Sequence, residues 1–209
     1  MQSPYTEDYF LRGQETGVSN YTDYRWLEEP TMELARNVIK AMDIKPGETF
    51  LDFGCARGYL VKAMRRLGVV AEGHDTSEWA VQNCDPEVAE HVSTSLWDHR
   101  WNHIWSKDTL EHLQPNDAVE AISKFTKLAE RSILIIVPLC AERGGRYVRD
   151  EDEFDKTHVI RGTLSEWLVI AQGEAGNNWI AQAAYHLPGL KPTSRRHPCS
   201  CGFITMRRI

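Results

Sequence analysis

The segment LDFGCARGYL, residues 51–60, sets an acid between apolar residues, then two glycines flanking three other residues, then the start of an apolar helix. Glycines between a strand and a helix let a ligand approach the backbone closely. In an open α/β sheet that ligand lies in the crevice beyond the carboxyl ends of the strands. A dinucleotide loop needs G-x-G-x-x-G, and here its middle position is Ala56. A phosphate-binding P-loop ends in G-K-[ST], which Arg57-Gly58-Tyr59 does not supply. The loop is therefore read as a ligand cradle built for something other than a bare phosphate. The plain alternative is a tight turn, but a turn has no need of Asp52.

Reading outward, 31–42 carries apolar residues at helical spacing, with a start signal at Pro30–Thr31 and a stop at Lys45–Gly47. ETFLDFG is a buried strand, ARGYLVKAMRRLG a helix closed by Gly68, and VVAEGHD a second strand. SEWAVQNC is a short helix capped by Ser77. EHVSTSLW and WNHIWSKD supply a third and a fourth strand, NDAVEAISKFTKLAE an amphipathic helix, and RSILIIVPL the most apolar strand. TLSEWLVIAQGEAG is a further helix, capped by Thr163 or Ser165, and NNWIAQAAYHL and CGFITMRRI are two last strands. The joint between those two strands is too short for a helical crossover, so they pair antiparallel. The expected fold is α/β: a Rossmann-like, doubly wound, seven-stranded mixed sheet with an antiparallel C-terminal hairpin. One domain is expected over 1–209, as an aromatic arm (1–30) and a core (31–209).

The net charge of −6 (24 basic, 30 acidic) argues against a general nucleic-acid or anionic-membrane binder. TSRRH near the end is a local basic cluster. No apolar run is long enough to span a bilayer, and MQSPYTEDYF lacks the order of a secretory signal. Five irregularly spaced cysteines suit reduced thiols, so a cytoplasmic protein is expected.

LDFGCARG resembles the first motif of class I S-adenosylmethionine-dependent methyltransferases, an acid followed by G-x-G-x-G. GHDTS (73–77) matches the family's second motif, WNHIWSKDTLEHL (101–113) its fourth-strand motif, and the final strands its sheet edge. The departure is Ala56, where the family most often has glycine. The resemblance implies S-adenosylmethionine as cofactor and S-adenosylhomocysteine as product. Gly54, Cys55, Ala56 and Gly58 would meet its methionine end, and Asp52 its ammonium. Asp75 would take the ribose hydroxyls, aided by Thr76 and Ser77. Ser95 and Leu96, with Thr94 and Trp97, would flank the adenine, and Ser106 and Lys107 the methionine moiety. From the arm, Tyr21, Tyr24 and Arg25 are candidates for a cofactor cap, with Arg25 pairing the methionine carboxylate; simple packing on the first helix is the other reading. The acceptor is expected to be a small molecule, a sugar or natural-product intermediate, methylated at oxygen or nitrogen.

Asp108, Glu111 and His112 are spaced i, i+3, i+4 and share one face if helical. Three readings stay open. Glu111 and His112 position the loop, or His112 contacts the acceptor; His112 is a general base; or a divalent metal, not the favoured reading, is held by Asp108, Glu111 and His112 with His158 as a distant fourth ligand. The metal version resembles the E-x-x-E-H site of small-RNA 2'-O-methyltransferases, so methylation of RNA is the alternative acceptor class; a non-catalytic cofactor-binding module is another. His112, Glu111 and His158 are the expected catalytic residues. Three smaller features have plain readings: the acidic run 150–155 is a solvated loop, HPCSC a turn rather than a zinc site, and Cys55 a small filler. Gly144 and Gly145 would let their loop move as a lid. The oligomeric state is not readable.

Overall fold

The computed structural model describes residues 3–96, 98–191 and 197–209; Trp97 and the Thr193–Arg196 part of the basic cluster lie outside them. Six strands running one way and one, β7, running against them form one sheet: β1 (Thr49–Phe53), β2 (Val70–His74), β3 (Val92–Ser93), β4 (Trp101–Lys107), β5 (Ala129–Pro138), β6 (Trp179–Ala184) and β7 (Cys201–Arg208). Their spatial order is β3-β2-β1-β4-β5-β7-β6. The last two strands pair antiparallel as expected, but β7 inserts beside β5 and leaves β6 at the edge. The order turns back between β1 and β4, the switch point where ligands bind in this architecture.

Helices cover both faces. α3 (Glu28–Met42) and α4 (Tyr59–Arg66) bury Val38, Met42, Val61 and Met64 against Phe50, Trp105 and Ile136. α6 (Pro115–Leu128) and α8 (Leu164–Ala175) bury Ile122, Phe125 and Trp167 against Leu51, Ile104 and Ile133 on the other face. Alternate residues of one strand thus feed two cores, as strict period-two geometry requires. Thr163 caps α8 in a full capping box with Glu166.

The arm forms a third small core. α1 (Glu7–Leu11) and α2 (Gly13–Thr16) present Tyr9 and Phe10, and Phe10 stacks on Trp79 of α5 (Glu78–Gln82) with ring centroids 5.4 Å apart. Arg57 ties the arm to the sheet, donating to the Tyr24 and Asn83 carbonyls at 3.1 and 2.6 Å. Two sequence expectations are corrected here. The acidic run 150–155 is not a loop: it forms α7 (Asp150–Phe154), and Asp155 behind it is buried. The segment after β4 is a single 3-10 turn, Leu110–His112, preceded by Asp108 at φ 52°. Asp108, Glu111 and His112 therefore do not share a helix face, and the Asp108 carboxylate is held instead by Lys107 and Lys191.

Candidate active site

The carboxyl ends of β1, β2 and β4 end level, with Phe53 opposite His74 and Ser106. Beyond them lies a groove lined by Phe53, Gly54, Ala56, His74, Asp75, Thr76, Asp108, Thr109, His112 and Leu113 and roofed by Tyr5, Tyr9, Phe10 and Tyr21. Its cavity volume is about 100 Å³. On one side it adjoins a chamber lined by Leu96, Phe125 and Lys124, with which it shares Phe53, His74 and Leu113. On the other it meets a chamber of ≈ 320 Å³, through Tyr9, Tyr21, Asp108 and His112.

The glycine loop is shaped for close approach. Gly54 (φ 88°) and Cys55 donate to the His74 carbonyl at 2.7 and 3.1 Å, strapping the loop onto β2. A Cβ on Gly54 would lie 2.0 Å from Thr109 Oγ1, so the cradle exists because that atom is missing. Ala56 adopts φ 48°, which is why glycine is the commoner residue there, and donates its N–H to Asp75 Oδ2 at 2.7 Å. Asp75 Oδ1 accepts from Ser77 N–H at 2.8 Å. Each oxygen keeps a further lone pair, so the carboxylate is both oriented and able to accept two hydroxyls. Burial raises the Asp75 pKa, against those two backbone donors. His74 Nδ1, in the same wall, has no hydrogen-bond partner among the described residues. An amide cradle, a two-lobed acceptor and an orphaned ring nitrogen suit a nucleoside carrying an amino-acid tail, the cofactor the resemblance implies.

The other expected cofactor residues divide. Thr76 lines the groove, and Leu96 lines the chamber beyond it. Asp52 is buried and outside the lining; burial, and then the charge of Asp75, push it up to about 7. Cys55 and Gly58 support the loop from beneath. The Cys55 sulfur fills the space a Cβ on Gly73 would need, and Gly58 packs against Val92. Burial raises the Cys55 thiol far above its ordinary value, consistent with a filler. Ser106 is buried with an unpartnered hydroxyl among the described residues, and Ser95 is exposed. Arg25 is two-thirds exposed and pairs with Asp23 at 2.9 Å, away from the groove. Tyr24 stacks on Tyr59 behind the roof.

The larger chamber gathers charge. Asp108 is bound by Lys107 at 2.7 Å and by Lys191; burial opposes ionisation, but the two ammonium groups hold its pKa well below the ordinary range. Glu111 is fully buried, and neither carboxylate oxygen has a hydrogen-bond partner among the described residues. Burial, with the charge of Asp108, raises its pKa well above the ordinary value. His112 Nε2 and His158 Nε2 stand 4.0 and 3.9 Å from Glu111 Oε1. Burial, with His158 beside it, lowers His112 to about 4. His158 comes from 46 residues downstream because the Glu111 carbonyl accepts both Val159 and Ile160 N–H, at 2.8 and 2.9 Å. The structure therefore unites His112, Glu111 and His158 and leaves Asp108 out. Lys191, Asp155 and Thr157 were missed by sequence reasoning; no local pattern marks them. Tyr5, Tyr9 and Phe10 were legible only as part of an aromatic surplus in the arm.

A family described as a methyltransferase domain matches residues 26–170. No curated protein matches the chain in sequence. Among solved structures, it is similar to a SAM-dependent methyltransferase from Archaeoglobus fulgidus (17% identity, 86% of this chain and 94% of that one, TM-score 0.64). It is also similar to magnesium protoporphyrin IX methyltransferase from Synechocystis, solved with bound SAM (15%, 86% and 80%, 0.59). A third is the plantazolicin methyltransferase BamL, in complex with a triazolic desmethyl analogue and SAH (10%, 86% and 85%, 0.63). At these identities the structures speak to the fold, which is shared across most of each chain. No helix among the described residues is long and apolar enough to cross a membrane.

Proposed function

This chain belongs to the methyltransferase-domain family, and from that premise we propose that it methylates an oxygen or nitrogen of a small polar acceptor using S-adenosylmethionine. The observation that carries the reading is the junction of two cavities. A groove fitted to a nucleoside with an amino-acid tail shares Asp108 and His112 with an adjoining ≈ 320 Å³ chamber lined by ionisable side chains. A chamber of that volume suits a sugar-sized or natural-product acceptor. Solved structures of similar fold include methyltransferases named for magnesium protoporphyrin IX and plantazolicin, in keeping with an acceptor other than nucleic acid.

The cofactor supplies an electrophilic methyl on a sulfonium. The chain's part is placement. Asp75 takes the ribose hydroxyls, the Gly54–Ala56 backbone faces the methionine end with Asp52 behind it, and Leu96 with Phe53 borders the base. Tyr5, Tyr9, Phe10 and Tyr21 roof the groove and keep water out. Holding the acceptor in line at close range provides much of the acceleration. Bound in the groove, the cofactor would supply the methyl carbon to the acceptor's lone pair, its sulfur keeping the electron pair of the carbon–sulfur bond that breaks. The acceptor's proton leaves into the chamber beside Glu111, His112 and His158.

Calorimetry with S-adenosylmethionine and S-adenosylhomocysteine tests the groove, and mass-spectrometric screening of acceptors tests the chamber. Binding of both, with methylation of a hydroxylated or amino small molecule, is expected. Binding with no transfer to any acceptor makes the chain a non-catalytic module, and transfer to RNA alone overturns the small-molecule reading.

A further inference from the structure

The geometry points to a first-row divalent cation site formed by Glu111, His112 and His158. The three side chains offer one carboxylate oxygen and two imidazole nitrogens whose ligand atoms all lie within 4.8 Å of one another. Buried polar atoms are almost always paired, because an unpaired one forfeits its solvation. Glu111 breaks that rule with both oxygens at zero exposure. The two ring nitrogens that face it, at 3.9 and 4.0 Å, are beyond hydrogen-bond reach, so even a proton on the carboxyl would find no acceptor in them.

The proton inventory sharpens this. Asp155 can only accept, and it takes the Tyr9 hydroxyl on Oδ2 at 2.9 Å and the Thr157 hydroxyl on Oδ1 at 2.6 Å. Thr157 has thereby used its single proton, so its 2.8 Å contact with His112 Nδ1 requires Nδ1–H as donor. In the neutral ring, Nε2 is then left with a bare lone pair, and it is Nε2 that faces Glu111. That lone pair and an ionised carboxylate facing across 4.0 Å would repel, and a cation between them would turn both into ligands. A carboxylate that fixes the far nitrogen of a histidine through one hydroxyl is also the outer support that metal-bound histidines require.

Two imidazoles with one carboxylate favour zinc, cobalt, iron or manganese over magnesium or calcium. Bonds of about 2.1 Å in tetrahedral geometry separate ligand atoms by ~3.4 Å, so binding draws the three groups inward by roughly half an ångström. Asp108 is not a ligand, since Lys107 and Lys191 occupy its oxygens. The cluster borders the chamber, so an open coordination position faces the acceptor. An acceptor hydroxyl bound there releases its proton to solvent more readily, and the resulting alkoxide takes the methyl. That use rests on the methyl-transfer reading; the site itself does not.

The test uses the full chain stripped with chelator and titrated with cobalt(II) in absorption and zinc(II) in calorimetry. One equivalent of each is expected, with the visible bands of nitrogen- and oxygen-coordinated cobalt. E111Q and H158Q, which keep size and polarity, should each weaken binding at least tenfold while unmetallated thermal midpoints stay within a few degrees. If a variant misfolds, the zinc-induced rise in the wild-type midpoint serves as second readout; its absence overturns the proposal. No stoichiometric binding, or binding that survives both substitutions, also overturns it. Calorimetry with S-adenosylmethionine on the stripped protein separates the readings: cofactor binding without metal binding sinks only this site, and metal binding without cofactor binding sinks only the cofactor assignment.

Discussion

Gly54 and Thr109 compete for one volume: a Cβ added at Gly54 would meet Thr109 Oγ1 at 2.0 Å and Cγ2 at 2.5 Å. Two separate penalties are therefore expected for Gly54→Ala. The backbone at φ 88° costs an L-residue about 1–2 kcal/mol, and the collision adds about 1–3 kcal/mol of overpacking. Adding Thr109→Ala removes Oγ1 and Cγ2 but leaves its Cβ 2.8 Å from the new one, so it should return most of the steric part and leave the backbone part. Denaturant unfolding of the two single variants and the double variant measures both, and a double variant as unstable as G54A would refute the steric assignment.

Asp75 differs from Gly54 in acting on the ligand as well as the loop. Its oxygens already hold Ala56 N–H and Ser77 N–H, so Asp75→Ala removes the loop's anchor along with the proposed ribose contacts. Charge-assisted bonds of this kind are worth about 1.5–3 kcal/mol each. S-adenosylhomocysteine affinity should fall at least tenfold by calorimetry. Asp75→Asn keeps one acceptor oxygen and should fall by less. Unchanged affinity in both would move the ribose elsewhere.

The contrast between those two residues shows what a sequence can carry. Short apolar runs and period-3.6 patterns laid out every strand and the main helices, because each element buries apolar side chains. The glycine loop and Asp75 were legible because local chemistry and chain order place them at adjacent strand ends. His158 could be named but not positioned, since its place depends on two backbone hydrogen bonds to the Glu111 carbonyl. Asp108 was misread because its spacing assumes a helix, whereas its backbone is left-handed and its charge is claimed by Lys191, 83 residues away. The acidic run misled in the same way: Asp155 is buried because Tyr9, 146 residues earlier, donates to it. Pairings at such separations leave no trace in composition or period.

Asp52 should make the uncharged state of the groove visible through pH. Burial, and then Asp75, hold its proton to about 7 in the folded chain, whereas an unfolded aspartate releases it near 4. Between those values the folded state binds more protons, so this group's contribution to stability falls as pH rises from about 4 to about 7. Asp52→Asn should flatten that part of the stability–pH curve. A cofactor ammonium would favour the ionised carboxylate, so binding at pH 6 should release protons in the wild type and fewer in D52N. Calorimetry in buffers of different ionisation enthalpy reads the difference, and equal release would remove Asp52 from the ammonium's surroundings.

The aromatic roof should depend on Arg57 more than on any single ring. Its guanidinium donates to the Tyr24 carbonyl in the arm and to the Asn83 carbonyl at the end of α5, and it lies 5.5 and 5.8 Å from the Tyr59 and Trp79 ring centres. Phe10, Tyr21 and Tyr24 pack on one another, so a loss at Tyr24 is passed to Tyr21 and Phe10, which roof the groove. Arg57→Ala forfeits two hydrogen bonds from a charged donor, each worth about 1.5–3 kcal/mol, and local opening of the arm should rise by an order of magnitude or more. Limited proteolysis should then cut within residues 12–25 at least tenfold faster, while the core's unfolding midpoint changes little. S-adenosylhomocysteine should slow that cleavage in the wild type, because the roof closes on the occupied groove. Cleavage that is insensitive both to the substitution and to the ligand would mean that the arm merely packs against the core and takes no part in covering the groove.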